Sequence, residues 1–174
     1  MSSPRRPTRR ARPDEFDRLR LIEAASETLF LEIGMGPFAP PDDDHLVRAE
    51  VVLVCDDPPL GFASVGVVDE AAHIWQLSVH PSAGRRGRGT ALVAAACDWA
   101  RGAGCDAVTL TTFRDVSWNG PFYARLGFVV VDDPSDGLAA IRRWERAHGD
   151  DALGPRVAMR LDLEVRDGRR APDD

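Results

Sequence analysis

From Asp14 onward, apolar residues recur at helical spacing. Phe16, Leu19, Leu21, Ile22 and Ala25 share a face, Leu29, Phe30 and Ile33 carry it to Gly34, and Asp14 stands where a cap is expected. Residues 34–44, GMGPFAPPDDD, form a loop rich in Gly, Pro and Asp, with a short helix expected over 44–49. VVLVC at 51–55 is a continuous apolar run closed by DDPP, which predicts a strand buried on both faces. LGFASVGVV at 60–68 returns as its hairpin partner, and HIWQLSV at 73–79 adds a third antiparallel strand. Strict alternation there puts His73, Trp75, Leu77 and Val79 on one face and Ile74, Gln76 and Ser78 on the other. The period then returns to helical from Gly89 to Gly104, through Leu92, Val93, Ala96, Trp99 and Ala100. AVTLTTF at 107–113 is a β-branched strand, and the intervening helix makes it a parallel neighbour of 73–79. A short helix at 118–126 with Pro121 in its first turn, a strand from Phe128, an amphipathic helix at 136–148 and an alternating strand at 156–164 complete the chain.

This order predicts an α+β domain: a mostly antiparallel sheet of six or seven strands with one parallel pair, flanked by helices. The 174 residues suit a single domain at 13–165, with a basic leader at 1–12 running into the first strand and a loose charged tail at 166–174. A net charge of -6 argues against nonspecific nucleic-acid binding. No apolar run is long enough to span a membrane, and the leader has no apolar stretch behind its charges. Cys55, Cys97 and Cys105 show no metal-ligand spacing and read as reduced core thiols of a cytoplasmic protein, with no metal expected.

The stretch VHPSAGRRGRGTAL at 79–92 concentrates glycine and positive charge between a strand and a helix. Helix starts leave amides unpaired and carry the positive end of the dipole. Gly87 and Gly89 allow close backbone approach, so successive amides form an anion nest. Arg85, Arg86 and Arg88 add charge suited to a pyrophosphate. The plainer alternative is a glycine-rich turn with solvent-facing arginines. A phosphate-binding loop ending in Gly-Lys-Ser/Thr is absent, and Gly87-x-Gly89 follows a meander rather than opening an early βαβ unit.

LSVHPSAGRRGRGTAL (77–92), TLTTF (109–113) and NGPFYARLGF (119–128) together resemble the GNAT superfamily of acyl-CoA N-acyltransferases, over about residues 50–131. The family loop is usually (Gln/Arg)-x-x-Gly-x-(Gly/Ala). Here Gly87 and Gly89 take the small positions, and Gly84 departs from the Gln/Arg. The resemblance implies that Gly84, Arg85, Arg86, Gly87, Arg88, Gly89 and Thr90 hold the coenzyme A pyrophosphate. It implies that Leu77, Ser78 and Val79, on a strand splayed from 107–113, hold the pantetheine arm. Tyr123, four residues before Gly127, takes the place of the general acid at the CoA sulfur, with a core tyrosine bonded locally as its other reading. Val116 stands where the family often has Asn, so Asn119 is the candidate CoA contact, with a helix cap as its other reading.

Acyl transfer from a thioester to an amine also calls for a proton acceptor and an oxyanion donor. His73, near the start of the central strand, is the candidate base, against the alternative of a strand-end histidine. Asp69 and Glu70 are weaker candidates, and His80 is expected to point away. The Val79 amide is the candidate oxyanion donor. Phe38, Trp75, Phe113 and Trp118, with Asp42, Asp43 and Asp44, form a candidate acceptor pocket for a cationic amine, against the alternative that the acids belong to a solvated loop. The helix at 136–148 is expected either to cover that pocket or to make a homodimer contact. The expectation is therefore direct acetyl transfer from acetyl-CoA to a small-molecule amine. The alternatives are a protein N-acetyltransferase and a non-catalytic acyl-CoA sensor.

Overall fold

The computed structural model describes residues 7–38 and 44–164. Its elements in chain order are β1 (Thr8–Arg10), α1 (Phe16–Leu31), α2 (Asp44–Val47), β2 (Val51–Cys55), β3 (Gly61–Val68), β4 (Ala71–Val79), α3 (Arg88–Gly102), β5 (Ala107–Phe113), α4 (Gly120–Arg125), β6 (Val129–Val130), α5 (Asp136–Ala147), α6 (Asp150–Leu153) and β7 (Arg156–Asp162). The strands form one sheet in the order β1-β2-β3-β4-β5-β7-β6. All pairings are antiparallel except β4 with β5.

Apolar packing covers both faces. On one, α3 lays Leu92, Val93, Ala96 and Ala100 on Leu53, Val65, Ile74, Val108, Leu110 and Met159. On the other, Leu19 and Ile22 of α1 cover Val52, Val54 and Phe62. β2 serves both cores, and all five of its residues are buried. Cys55, Cys97 and Cys105 are buried within the α3-side core, and among the described residues none forms a disulfide.

Several expectations need correction. The leader holds an edge strand, since Thr8–Arg10 pair with Leu53–Cys55. Asp14 lies inside a 3-10 turn and does not cap α1; Glu15 precedes the helix, and its carboxylate accepts from the Arg12 amide at 2.7 Å and from Arg9. Leu21 is exposed, on the outer side of α1. The strand expected from Phe128 shrinks to two residues at the sheet edge.

The main correction concerns β4. Its register against β3 runs Ser64 to Gln76 and then Val65 to Ile74, so Trp75 is an extra, bulged residue. A bulge resets the alternation. Ala72 and Ile74 share the α3-side core with Leu77 and Val79. Ser78 faces α1, where the Ser26 hydroxyl meets its own at 3.3 Å, and Gln76 bonds Ser78 at 3.0 Å on the same side. Gly66 opposite leaves room for the displaced indole, because a Cβ there would lie 2.7 Å from Trp75 Nε1.

Candidate active site

The parallel pairing of β4 with β5 lasts three rungs, Ala72–Val108, His73–Thr109 and Ile74–Leu110, and then stops. Beyond it β5 continues to pair with β7 through Phe113, and β4 with β3 through Val79. The His80 amide donates to the Leu60 carbonyl at 2.9 Å, which makes that rung a hydrogen-bonded one. Antiparallel alternation then turns the amides and carbonyls of Leu77 and Val79 away from β3, toward the gap. A cleft of about 1100 Å³ passes through this gap. It reaches from the start of α3, past Phe122 and Tyr123, to a wall built by α1, α5 and β7.

At the first end, Gly87 precedes α3 with φ 76° and, having no side chain, cannot cap the helix. The first-turn amides therefore have no intrahelical acceptor. Arg85 also takes a left-handed backbone, φ 58°, and lies exposed at the cleft. Arg88 is different from what the sequence implied. Its guanidinium turns inward to Asp56, at 2.6 Å, and to the Ala83 carbonyl, at 2.9 Å, so its charge fastens the loop to the β2–β3 turn. Gly84, Gly87, Gly89 and Thr90 line the cleft, whereas Arg86 is exposed outside its lining. Gly89 packs on Phe122, whose ring would lie 3.1 Å from a Cβ.

Tyr123 lies midway, 7% exposed, edge-on to Phe122 and Phe128. Among the described residues its hydroxyl has no hydrogen-bond partner, and burial pushes the phenol well above its ordinary pKa. Asn119 does not cap α4 with its side chain. Its Nδ2 donates to Thr112 Oγ1 at 2.9 Å, and its buried Oδ1, on the cleft wall, has no partner among the described residues.

His73 is buried at the last paired rungs, with Nδ1 2.9 Å from Thr109 Oγ1 and its ring edge-on to Trp75. Burial pushes it down to about 4, against a smaller upward pull from Glu145. Asp69 and Glu70 lie outside the cleft lining, and Asp69 instead accepts from the Gly137 amide at the start of α5. His80 bonds Ser82 and also lies outside.

At the far end Phe38, Phe113 and Trp118 gather around Phe30, with centroids 5.2, 5.6 and 5.4 Å from its ring. Trp75 stands apart from this cluster, under the Arg48 guanidinium, with its Nε1 buried and without a partner among the described residues. Asp42 and Asp43 lie outside the described residues. On the opposite wall stands α5, the helix expected to cover the pocket, though its charged residues were missed from sequence. Glu145 of α5 accepts from Thr111, Arg142 and Arg156, and Arg142 also grips Asp151 at 2.8 Å. Glu23 pairs with His45 at 3.0 Å on the α1 side, one turn before Glu27. The helical period of α5 was the one signal for this wall; the hydrogen bonds of Glu145 span up to 34 positions, beyond the reach of local pattern. Among the described residues no helix is long and apolar enough to cross a membrane. No group of three or more His, Cys, Asp or Glu there could hold a metal ion.

Residues 13–128 match the model of a family described as acetyltransferase (GNAT). The fold is similar to that of solved structures at low identity. One is N-acetylglutamate synthase from Neisseria gonorrhoeae complexed with coenzyme A and N-acetyl-glutamate, with TM-score 0.67 and 20% identity, covering 94% of this chain and 36% of that one. The present chain thus spans little more than a third of that enzyme's length. Another is the ribosomal-protein-S18-alanine N-acetyltransferase from Escherichia coli, with TM-score 0.62, 17% identity and coverage of 95% and 98%. A third is PaiA N-acetyltransferase from Thermoplasma acidophilum in complex with coenzyme A, with TM-score 0.63, 17% identity and coverage of 94% and 100%.

Proposed function

The chain belongs to the acetyltransferase (GNAT) family and is an acyltransferase, and from that premise we propose that it moves an acetyl group from acetyl-CoA directly to the amine of a small molecule. The observation that carries this reading is the parting of β4 from β5 beyond Ile74 and Leu110. It leaves an unpaired backbone edge leading from the uncapped start of α3 to Tyr123. An extended arm bearing amides adds to such an edge as a strand would. A pyrophosphate suits the first-turn amides, with Arg85 supplying charge. In this reading Leu77 and Val79 hold the pantetheine arm, and the unpartnered Asn119 Oδ1 accepts from one of its amides.

The amine nitrogen attacks the thioester carbonyl carbon; the C–N bond forms as the C–S bond breaks. The Val79 amide, turned to the gap, donates to the developing oxyanion. Tyr123 stays protonated throughout the neutral range. The thiol leaving beside it is desolvated by the same walls, so the phenol hydrogen-bonds the departing sulfur and passes its proton over. His73, neutral and weakly basic in its burial, is assigned to holding Thr109 at the last paired rungs rather than to proton uptake.

The small-molecule reading rests on the walls. The ring cluster on one side and α5 on the other bound the acceptor end, a shape suited to a compact amine with an apolar body. The test is thiol release from acetyl-CoA with phenethylamine, spermidine and an unblocked hexapeptide. Release with the small amines is expected. Tyr123→Phe is expected to lower kcat by about a hundredfold while leaving the Kd for CoA nearly unchanged. Release with the peptide alone would move the acceptor class to proteins, and tight CoA binding without any release would leave a sensor.

A further inference from the structure

An acceptor amine reaches the cleft as an ammonium at neutral pH, and its nitrogen cannot attack until a proton is shed. The acidic and imidazole side chains near the acceptor end are mostly committed elsewhere. His73 is 1% exposed and bonded to Thr109. His45 has both ring nitrogens occupied, Nε2 by Glu23 at 3.0 Å and Nδ1 by Ser64 at 3.2 Å, and Glu23 is buried in that pair. Glu145 is held by Thr111, Arg142 and Arg156. Asp150 stands on the other wall of the cleft, beside α5, where burial and the charges of Glu145 and Asp151 raise it against the pull of Arg156. Glu32 is exposed beyond the end of α1. Arg48, the cation on the α1 side, sits over the Trp75 ring.

Glu27 is left. It is half-buried on the cleft wall, one turn beyond Glu23, and has no hydrogen bond or ion pair among the described residues. Its neighbour Ser26 touches Ser78 across 3.3 Å, so this turn of α1 rests against the parted half of β4. That is the edge along which the thioester is proposed to lie. Resting on the acetyl-transfer reading above, we propose that Glu27 receives the acceptor's ammonium and takes the proton that frees its nitrogen. The carboxylate becomes a carboxylic acid and the ammonium a neutral amine. The amine then forms the C–N bond as C–S breaks. The nitrogen's second proton replaces the one Tyr123 gives to sulfur, and the Glu27 proton returns to solvent. Burial, and the charge of Glu23 one turn away, hold Glu27 above the usual carboxylate range, the direction that suits a base.

The experiment measures kcat/KM for phenethylamine and spermidine across pH, with CoA affinity by calorimetry, in wild type, Glu27→Gln, Glu27→Asp and Glu32→Gln. Glu27→Gln is expected to lose at least about a hundredfold at pH 7 with CoA affinity kept. The deficit should shrink as pH rises past the amine's own pKa, where no base is needed. Glu27→Asp should keep part of the rate, and Glu32→Gln all of it. An active wild type with Glu27→Gln within about threefold of it at pH 7 overturns the assignment of Glu27 alone. So does a Glu27→Asp variant as impaired as Gln with CoA binding intact. A wild type that binds CoA and releases no thiol with any amine overturns the transfer reading and this one together.

Discussion

An imidazole in water gains its proton near pH 6.5, yet His73 is held down to about 4 because the folded chain buries it against Thr109 and Trp75. The unfolded chain therefore binds a proton below pH 6.5 that the folded one refuses until about 4. Stability is full above the unfolded value and falls as pH drops through this window, by on the order of 3 kcal/mol from this residue. Melts of wild type and His73→Gln between pH 7 and 4 should show the difference as a shallower pH slope in the variant; equal slopes would reject it. Residues of this kind divide sharply in how far sequence reaches them. Tyr123, Gly87 and Gly89 stand out because a short motif fixes their spacing. Glu27 carries no motif and matters only through what its neighbours do not offer it. Arg88 looked like a phosphate ligand, and only the fold reveals Asp56 waiting 32 positions away.

At the level of elements, hydrophobic period located nearly every strand and helix, and the β4–β5 parallel pair followed from the helix between them. It could not show the bulge at Trp75, because one inserted residue leaves the composition of a strand unchanged while reversing every face beyond it. It also missed what fixes α5. The helix begins at Ser135 with no side-chain cap of its own. Asp69, from the β3–β4 turn, reaches across to Ser135 and the amides of Gly137 and Leu138, and those bonds hold its carboxyl below the usual range. Gly137 permits the approach, since a Cβ there would meet the Asp69 carboxylate at 2.5 Å. Asp69→Ala is expected to lower Tm by about 2–4 °C, as loss of a helix cap does. Because α5 walls the acceptor end through Trp144 and Glu145, the same variant should raise KM for the amine and leave CoA affinity alone. The cap's contribution holds above the unfolded carboxylate pKa and fades as pH falls through the lowered folded one. A CoA affinity that drops with the amine's would place Asp69 in a wider structural role.

For the whole molecule, the parted pair makes the sheet behave as two units, β1 to β4 and β5 with β7 and β6, joined by three parallel rungs and the packing of α3. Such a joint is the place where a ligand lying in the gap stabilises most, because it supplies the contacts that the strands do not make with each other. A ligand that binds only the folded state adds about 2.7 kcal/mol at a hundred times its Kd. For a chain of this size that raises Tm by about 5–10 °C. Calorimetric melts with CoA at that saturation should show such a shift. Pantetheine, which fills the gap but lacks the pyrophosphate, should bind more weakly and lose little affinity when salt is raised. CoA should lose more, since the loop's positive charge and Arg85 act through a screened field. If CoA and pantetheine gave equal affinities and equal salt responses, the uncapped start of α3 would have no part in holding the ligand, and the glycine-arginine loop would be a turn and nothing more.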